Sequence, residues 1–332
     1  LFVARKLKSG ESAAETRYVT LKRNPTTIHE ALDVASRISA ALKELDAVRK
    51  ATAIKGTGGR VIGEVTSLPA PEGAENWTSA IFSQSYLAQV HWHLVKESAL
   101  VLPGAKIKNP LPLCRLDELG GLGYDVRDIT DAFEVDRTAA NWTPYPGFWD
   151  HDAEKVVQIA QKPTAFLTAR TKAIEGRHLK SAAAVWDKAG RILLVSRLRT
   201  NTHKIIAAGF DMPTLGNTWW AFKDHGMSDE QRKALLLWLN SGLGLLLYFG
   251  RRAITQGAWM QMKKPAWEGM PVLDVRNIDS GTLGTLAGVY DKLSTETLRP
   301  LAQLDADPTR LKIDGAICDT LALPSLTPIR EL

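Results

Sequence analysis

The sequence predicts an α+β fold: a small N-terminal hairpin and helical part, a mixed α/β domain, and a helical C-terminal tail. Three observations carry this. Helical apolar stripes and short apolar runs bounded by turn residues both occur, but not in the strict strand–helix alternation of a doubly wound parallel sheet. The short runs gather between residues 165 and 222. Beyond Pro271–Val275 the pattern is helical only.

In chain order, residues 1–23 read as a β-hairpin. Leu1 to Ala4 is apolar, Lys8 to Glu15 is a polar turn region, and Arg17 to Leu21 alternates again. Pro25 opens a helix whose stripe is Ile28, Ala31, Leu32, Ala35, Ile38 and Leu42. GTGG at 56–59 and the Pro69–Gly73 segment punctuate a loop-rich stretch, and a second helix is expected over Ser79 to Val95. Three prolines and a glycine between Leu102 and Pro112 mark a boundary. The expected division is 1–101, 102–275 and 276–332.

Past the boundary, Leu111 to Phe133 predicts a strand and a short helix ending at Gly120–Gly121. Strands are expected at Ala165–Thr168, Arg191–Arg197, His203–Ala208 and Asn217–Phe222. A single helix is expected from about Asp229 to Tyr248, capped by Ser228, with Asp and Glu in its first turn. Leu236, Leu239, Leu243 and Leu246 are its predicted core face, and Gly242 and Gly244 call for a close backbone approach. Helices then follow over Ser280–Lys292, Thr295–Gln303 and Pro308–Leu321.

Composition bounds the function class. With 332 residues, 45% apolar and 23% charged, the chain is long enough for a sizeable core and is neither disordered nor fibrous. Two cysteines, Cys114 and Cys318, exclude a disulfide framework and a cysteine-built zinc site. A reducing, cytoplasmic setting is expected, since LFVARKLKSG has no signal-peptide grammar. Leu235 to Phe249 is too short and too interrupted to span a bilayer, so no membrane partner is expected.

The net charge of +6 is localised. Residues 190–264 hold 11 Lys and Arg against 4 Asp and Glu, while the rest of the chain carries 31 against 32. A cationic surface so concentrated suits a polyanion, or alternatively a solvated basic face. Trp219, Trp220, Trp238 and Trp259 fall in the same stretch, and basic groups interleaved with aromatics also suit nucleic acid.

Catalytic constellations do not emerge. GTGG lacks the context of a phosphate loop, GGLG at 120–123 does not follow strand-to-helix order, and GxSxG is missing. His91 and His93 would point about 200° apart on a helix, with no third ligand in view.

The residues from Arg191 to Val275 carry a resemblance. RILLVSRLRTNTHKIIA, NTWWAFK and KALLLWLNSGLGLLLYFGRRAITQGAWMQMKKPAWEGMPVLDV are similar to a target-recognition domain. Such domains occur in type I restriction specificity subunits and at the C-terminal end of N-6 adenine-specific DNA methyltransferases. CRLDELGGLGYDVRDI resembles the opening of such a domain. LFVARKL with RYVTLKRNPTTIHEALDVA resembles the last strands of the methyltransferase catalytic domain and the helix after them. The resemblance is dense at 191–275 and loose elsewhere. It implies double-stranded DNA and a methyltransferase catalytic domain as partners. It also implies S-adenosylmethionine as cofactor of the parent protein, and none in this chain. Asn24–Pro25–Thr26 and Asn109–Pro110–Leu111 depart from the family's [DNS]PP[YFW] motif, so the chain reads as a recognition portion severed from its catalytic domain.

Base edges are read by Arg, Lys, Asn and Gln, and phosphates are held by Lys, Arg and small hydroxyls. Two segments offer both kinds. Arg197, Arg199, Thr200, Asn201, Thr202 and Lys204 lie between two predicted strands, in a run that also holds His203. Arg251, Arg252, Thr255, Gln256 and Gly257 follow the Leu-rich helix. Capping that helix is the alternative role for Arg251 and, to a lesser degree, for Arg252, since adjacent residues point apart. Gln256 beside Gly257 is the candidate base reader, and Lys263 and Lys264 are candidate phosphate contacts. The alternative reading is a basic helical subunit that docks an acidic protein.

Overall fold

The computed structural model describes residues 15–45, 50–70, 78–79, 81–102, 107–138, 144–149, 153–254 and 259–332. The fold is α+β. The chain divides into two compact units, 1–110 (with Leu332) and 111–331.

In the first unit, β1 (Glu15–Leu21) and β2 (Ala51–Lys55) flank β3 (Val61–Pro69) in an antiparallel sheet. The first strand of the expected hairpin, Leu1 to Ala4, lies outside the described residues. Helix α1 (Ile28–Lys43) begins at Thr27, whose hydroxyl accepts from Glu30 N while Glu30 accepts from Thr26 N. Ala41 packs with Ile54 and Val65 and is ringed by Leu21, Ile38, Leu42, Leu45 and Ile62. The predicted stripe is therefore buried only in its second half: Ile28 is 78% exposed and Leu32 65%. Helix α2 (Ser85–Glu97) starts six residues later than expected, after bends at Ser83 and Gln84. Strands β4 (Ala99–Leu100) and β5 (Asn109–Pro110) close the unit as a short pair.

The second unit opens with β6 (Leu113–Arg115), β7 (Gly120–Leu122), α3 (Val126–Ala132) and β8 (Phe133–Asp136). It continues through β9 (Pro146–Phe148), β10 (Ala165–Ala169), α4 (Ala182–Trp186), β11 (Gly190–Val195) and β12 (Arg197–Leu198). Next come β13 (Ala207–Gly216), β14 (Trp219–Asp224), α5 (Asp229–Leu239) and α6 (Gly242–Arg251). The unit ends with β15 (Ala253–Ile254), β16 (Met260–Gln261), α7 (Lys264–Glu268), β17 (Pro271–Leu273), α8 (Ser280–Leu293), α9 (Pro308–Thr320) and α10 (Thr327–Arg330). The central sheet runs β7-β14-β11-β13-β9-β10-β8, antiparallel except where β13 meets β9. Ile192, Leu193, Leu194 and Val195 are all buried, so β11 is covered on both faces. Helix α5 packs on β13 and β17 and against α8, which in turn packs on α9.

Ser228 caps α5 with a reciprocal bond to Gln231, as its sequence signature requires. The single helix expected from Asp229 to Tyr248 is broken at Asn240. Helices α5 and α6 meet there at 67°. The cause is a fully buried Asn240, whose Oδ1 accepts from Ile206 N and Ala207 N and whose Nδ2 donates to Ala207 O and Leu236 O. Ser241 then caps α6 through Gly244 N. Leu236, Leu239, Leu243 and Leu246 are buried, but so are their neighbours on every side. A Cβ on Gly244 would sit 2.3 Å from Trp238 O, so the close backbone approach exists and lies inside the bend itself. Among the described residues no single helix is long and apolar enough to cross a membrane.

Other expectations shift as well: the short helix expected to end at Gly120–Gly121 is a 3-10 turn, Leu116–Glu118, and those glycines open β7. The strand expected at His203–Ala208 begins only at Ala207, because residues before it turn to meet the C-terminal segment. The helix expected at Thr295–Gln303 is replaced by extended chain and a 3-10 turn, Leu301–Ala306. Pro300 starts that turn, and Asp307 closes the segment by accepting from Arg299 N.

Candidate nucleic-acid interface

After Val195 the chain leaves the central sheet. Ser196 marks the crossing: its N and Oγ donate to Thr218 O at 2.9 and 2.7 Å, and its carbonyl accepts from Met262 N. Thr218 holds a positive φ of 57° to reach it. Strand β12 then joins a separate three-stranded sheet, β12-β16-β15, with Arg197 opposite Gln261 and Leu198 opposite Met260. This small sheet is what brings the two basic segments together. It holds Arg197 on one strand and receives the chain from α6, carrying Arg251 and Arg252, on another.

Trp259, just before β16, is the organising side chain. The Arg199 guanidinium lies 4.4 Å from its ring centroid and that of Arg197 5.2 Å, both within cation–π range. His203 meets the same indole edge-on at 6.0 Å. These four residues, with Ala153, Glu154, Thr202 and Thr218, line a cleft of about 240 Å³. Among the described residues neither Arg197 nor Arg199 has a carboxylate partner, and the Nε of Arg199 is buried without a hydrogen bond. Two cations on one indole repel each other, and an anion placed between them would relieve that repulsion.

His203 is neutral at physiological pH. Burial pushes its pKa down to about 4, and the charges of Lys204, Arg197 and Arg199 act in the same direction. Its Nδ1 accepts from Arg199 N at 3.1 Å, so the ring proton sits on Nε2, a donor. The cleft therefore combines guanidinium donors, a neutral imidazole donor, a threonine hydroxyl and an aromatic surface.

The remaining predicted residues divide. Thr200 and Asn201 form the turn of the 199–204 loop, with Asn201 exposed. Lys204 turns inward, its Nζ donating to Glu154 O, Ala153 O and Thr202 O. Arg252 donates to Phe249 O and lies over the Phe249 ring, and its burial depresses its pKa. Its role here is to cap α6. Arg251 packs against Gly269, its Nη1 2.9 Å from where a Cβ would stand. Lys263 is exposed at the start of α7, whereas Lys264 donates to Leu122 O at 2.9 Å. Thr255, Gln256 and Gly257 lie outside the described residues. Of the tryptophans in the basic stretch, Trp219 and Trp238 are buried in the core, and Trp220 donates to Met262 O. Sequence reasoning did not single out Trp259 or His203 as site residues. The available signal was the pairing of two alternate arginines with a tryptophan at the far end of a hairpin.

Elsewhere, His91 meets Ser79 Oγ at 2.8 Å and His93 meets Glu97 at 2.7 Å. Among the described residues no group of three His, Cys, Asp or Glu stands ready for a metal ion.

No protein-family model matches the chain, and no curated protein sequence does. Among solved structures, the type IIG restriction endonuclease BpuSI is similar at 11% identity and a TM-score of 0.44. That match covers 97% of this chain and 40% of the endonuclease. The HsdS subunit from Thermoanaerobacter tengcongensis is similar at 12% identity and a TM-score of 0.27, with 85% of this chain and 67% of that chain covered. The chain thus spans less than half the length of the first. Overlaps this partial transfer no activity.

Proposed function

We propose that this chain recognises duplex DNA in a sequence-dependent way, as the target-recognition portion of a restriction–modification protein. The observation that carries the reading is the Arg197–Trp259–Arg199 stack with neutral His203 beside it. Two guanidiniums with no carboxylate partner among the described residues are held on a rigid aromatic at the rim of a cleft, inside the stretch that holds the excess positive charge. Arginine is the side chain best suited to both phosphate and guanine edges. The finer assignment, an adenine-N6 methyltransferase whose catalytic domain holds S-adenosylmethionine, rests on the sequence resemblance alone. On that assignment this chain supplies recognition and the partner domain supplies methyl transfer. Arg197, Arg199, Thr200, Asn201 and Thr202 form the primary contact loop. Lys263 at the start of α7 extends the surface, and Gln256 and Gly257, outside the described residues, are proposed to join it. Lys204, Arg251, Arg252 and Lys264 support it.

The test is selection from a random duplex library at low salt over several rounds, followed by competition with heparin. Enrichment of one short motif that heparin displaces poorly is expected. No enrichment, with heparin and DNA competing equally, would leave a general polyanion surface and overturn the reading.

A further inference from the structure

We infer that residues 301–310 of the C-terminal segment are the positioning element of the recognition loop 199–204, with Arg310 as its central residue; the inference rests on the DNA-recognition reading of that loop. Three hydrogen bonds join the two segments. Leu301 N donates to His203 O at 2.8 Å, Ala302 N to Thr200 O at 2.9 Å, and Arg310 Nη2 to Lys204 O at 2.6 Å. Three carbonyls of the loop, those of Thr200, His203 and Lys204, are thus taken by donors from a segment a hundred residues away.

Arg310 is fully buried. Its other amino group, Nη1, donates to Asn240 O at 2.8 Å, at the break between α5 and α6. Asn240 in turn holds Ile206 N and Ala207 N, where the loop re-enters the sheet. One guanidinium therefore ties together the exit of the loop, the helix break and α9. Asp307 keeps the guanidinium in register: its carboxylate accepts from Arg299 N, Thr309 N and Arg310 N, and lies 3.6 Å from Arg310 Nε. The other buried charges nearby are occupied locally, Asp314 by Gly242 N at 2.7 Å and by Arg330 at 3.5 Å.

A buried arginine is costly as a mere helix fastener, because apolar side chains of similar volume hold helices as well or better. What an apolar residue cannot do is hydrogen-bond two carbonyls on different segments at fixed angles. Lysine cannot either, since its single ammonium lacks the planar fork. The placement fits a loop whose arginines must present a fixed geometry to base edges, where a misplacement of an ångström is felt.

Arg310→Lys in the full chain is the primary variant, scored on two duplexes: the one the selection enriches and a scrambled one. The expected result is a folded protein whose affinity for the enriched duplex falls tenfold or more, with less than a twofold change on the scrambled duplex. A folded variant that keeps the wild-type ratio overturns the inference. Should Arg310→Lys fail to fold, Leu301→Pro replaces it. Position 301 opens a 3-10 turn after an extended residue, where proline removes the N–H given to His203 O; Leu301→Ala, which loses the same buried side chain but keeps that N–H, is its control. Hydrogen exchange on the wild-type chain needs neither variant nor DNA. Residues 199–204 are expected to open together with 301–310, and a freely exchanging loop beside a protected α9 contradicts the inference. If the wild-type chain enriches no duplex, the DNA reading fails, while the exchange measurement still decides the positioning.

Discussion

Replacing Asn240 by alanine is the sharpest test of how the second unit is held. Asn240 Oδ1 is the acceptor for two buried amides, Ile206 N at 3.1 Å and Ala207 N at 3.4 Å, and Nδ2 serves Ala207 O and Leu236 O at 2.9 Å each. Leu236 O keeps a second donor, Asn240 N, at 3.3 Å, so its loss is minor. The two amides have no replacement and no route to solvent. At about 1–3 kcal/mol for each buried donor left unpaired, the expected loss is about 4 kcal/mol, a large share of a typical domain's stability. For a unit of this size that corresponds to a fall of roughly 8–16 °C in melting temperature. Urea unfolding followed by tryptophan fluorescence measures it, with Asn201→Ala on the exposed loop as a control expected to stay within about 0.5 kcal/mol. A loss below about 1 kcal/mol for Asn240→Ala would refute the claim that this side chain, and not apolar packing, sets the bend.

Further predictions follow from single residues. Gly244→Ala should destabilise by about 1–3 kcal/mol, because the new Cβ meets Trp238 O. Gly284→Ala in α8, with nothing within 4 Å of the new methyl, should stabilise by about 0.5–1 kcal/mol, and calorimetry reads both. His203 has a folded-state pKa of about 4 against an ordinary 6.5, so between these values the unfolded chain binds the extra proton. Its contribution is intact above pH 6.5 and is lost as pH falls toward 4, by about 3 kcal/mol in full. His203→Gln should flatten that part of the stability–pH curve. Lys263→Ala should weaken binding to every duplex alike and lower the salt slope by about one, as loss of one phosphate contact requires. Lys264→Ala should do less, since its ammonium is given to Leu122 O.

What was legible in the sequence was what local chemistry decides. Ser228 with Asp229 and Glu230 marks a helix start, and the structure caps α5 there. Asp279 and Asp307 cap α8 and α9 at the expected starts, and the absence of regular strand–helix alternation gave the α+β class. The break at Asn240 was illegible because the leucines on either side of Asn240, Ser241 and Gly242 keep a helical spacing across it. Its cause is a set of bonds to Ile206 and Ala207, some thirty residues away. The candidate site followed the same division. Arg197 and Arg199 stood out as basic residues at a strand end, but Trp259 was one tryptophan among ten, and only strand pairing places it between them. Lys204 and Arg252 had the right chemistry for DNA, yet backbone carbonyls claim both, a competition that residue type does not reveal.

The central claim is that the Arg197–Trp259–Arg199 stack reads sequence and is not merely a cationic patch. Equilibrium titration of wild type, Arg199→Ala and Trp259→Ala against an enriched duplex and a scrambled one, at two salt concentrations, tests this most directly. The account predicts a loss of about 1–3 kcal/mol on the enriched duplex, with binding to the scrambled duplex changed far less and relaxed preference at one base position. Equal weakening on both duplexes, with the salt slope accounting for all of it, would contradict the account.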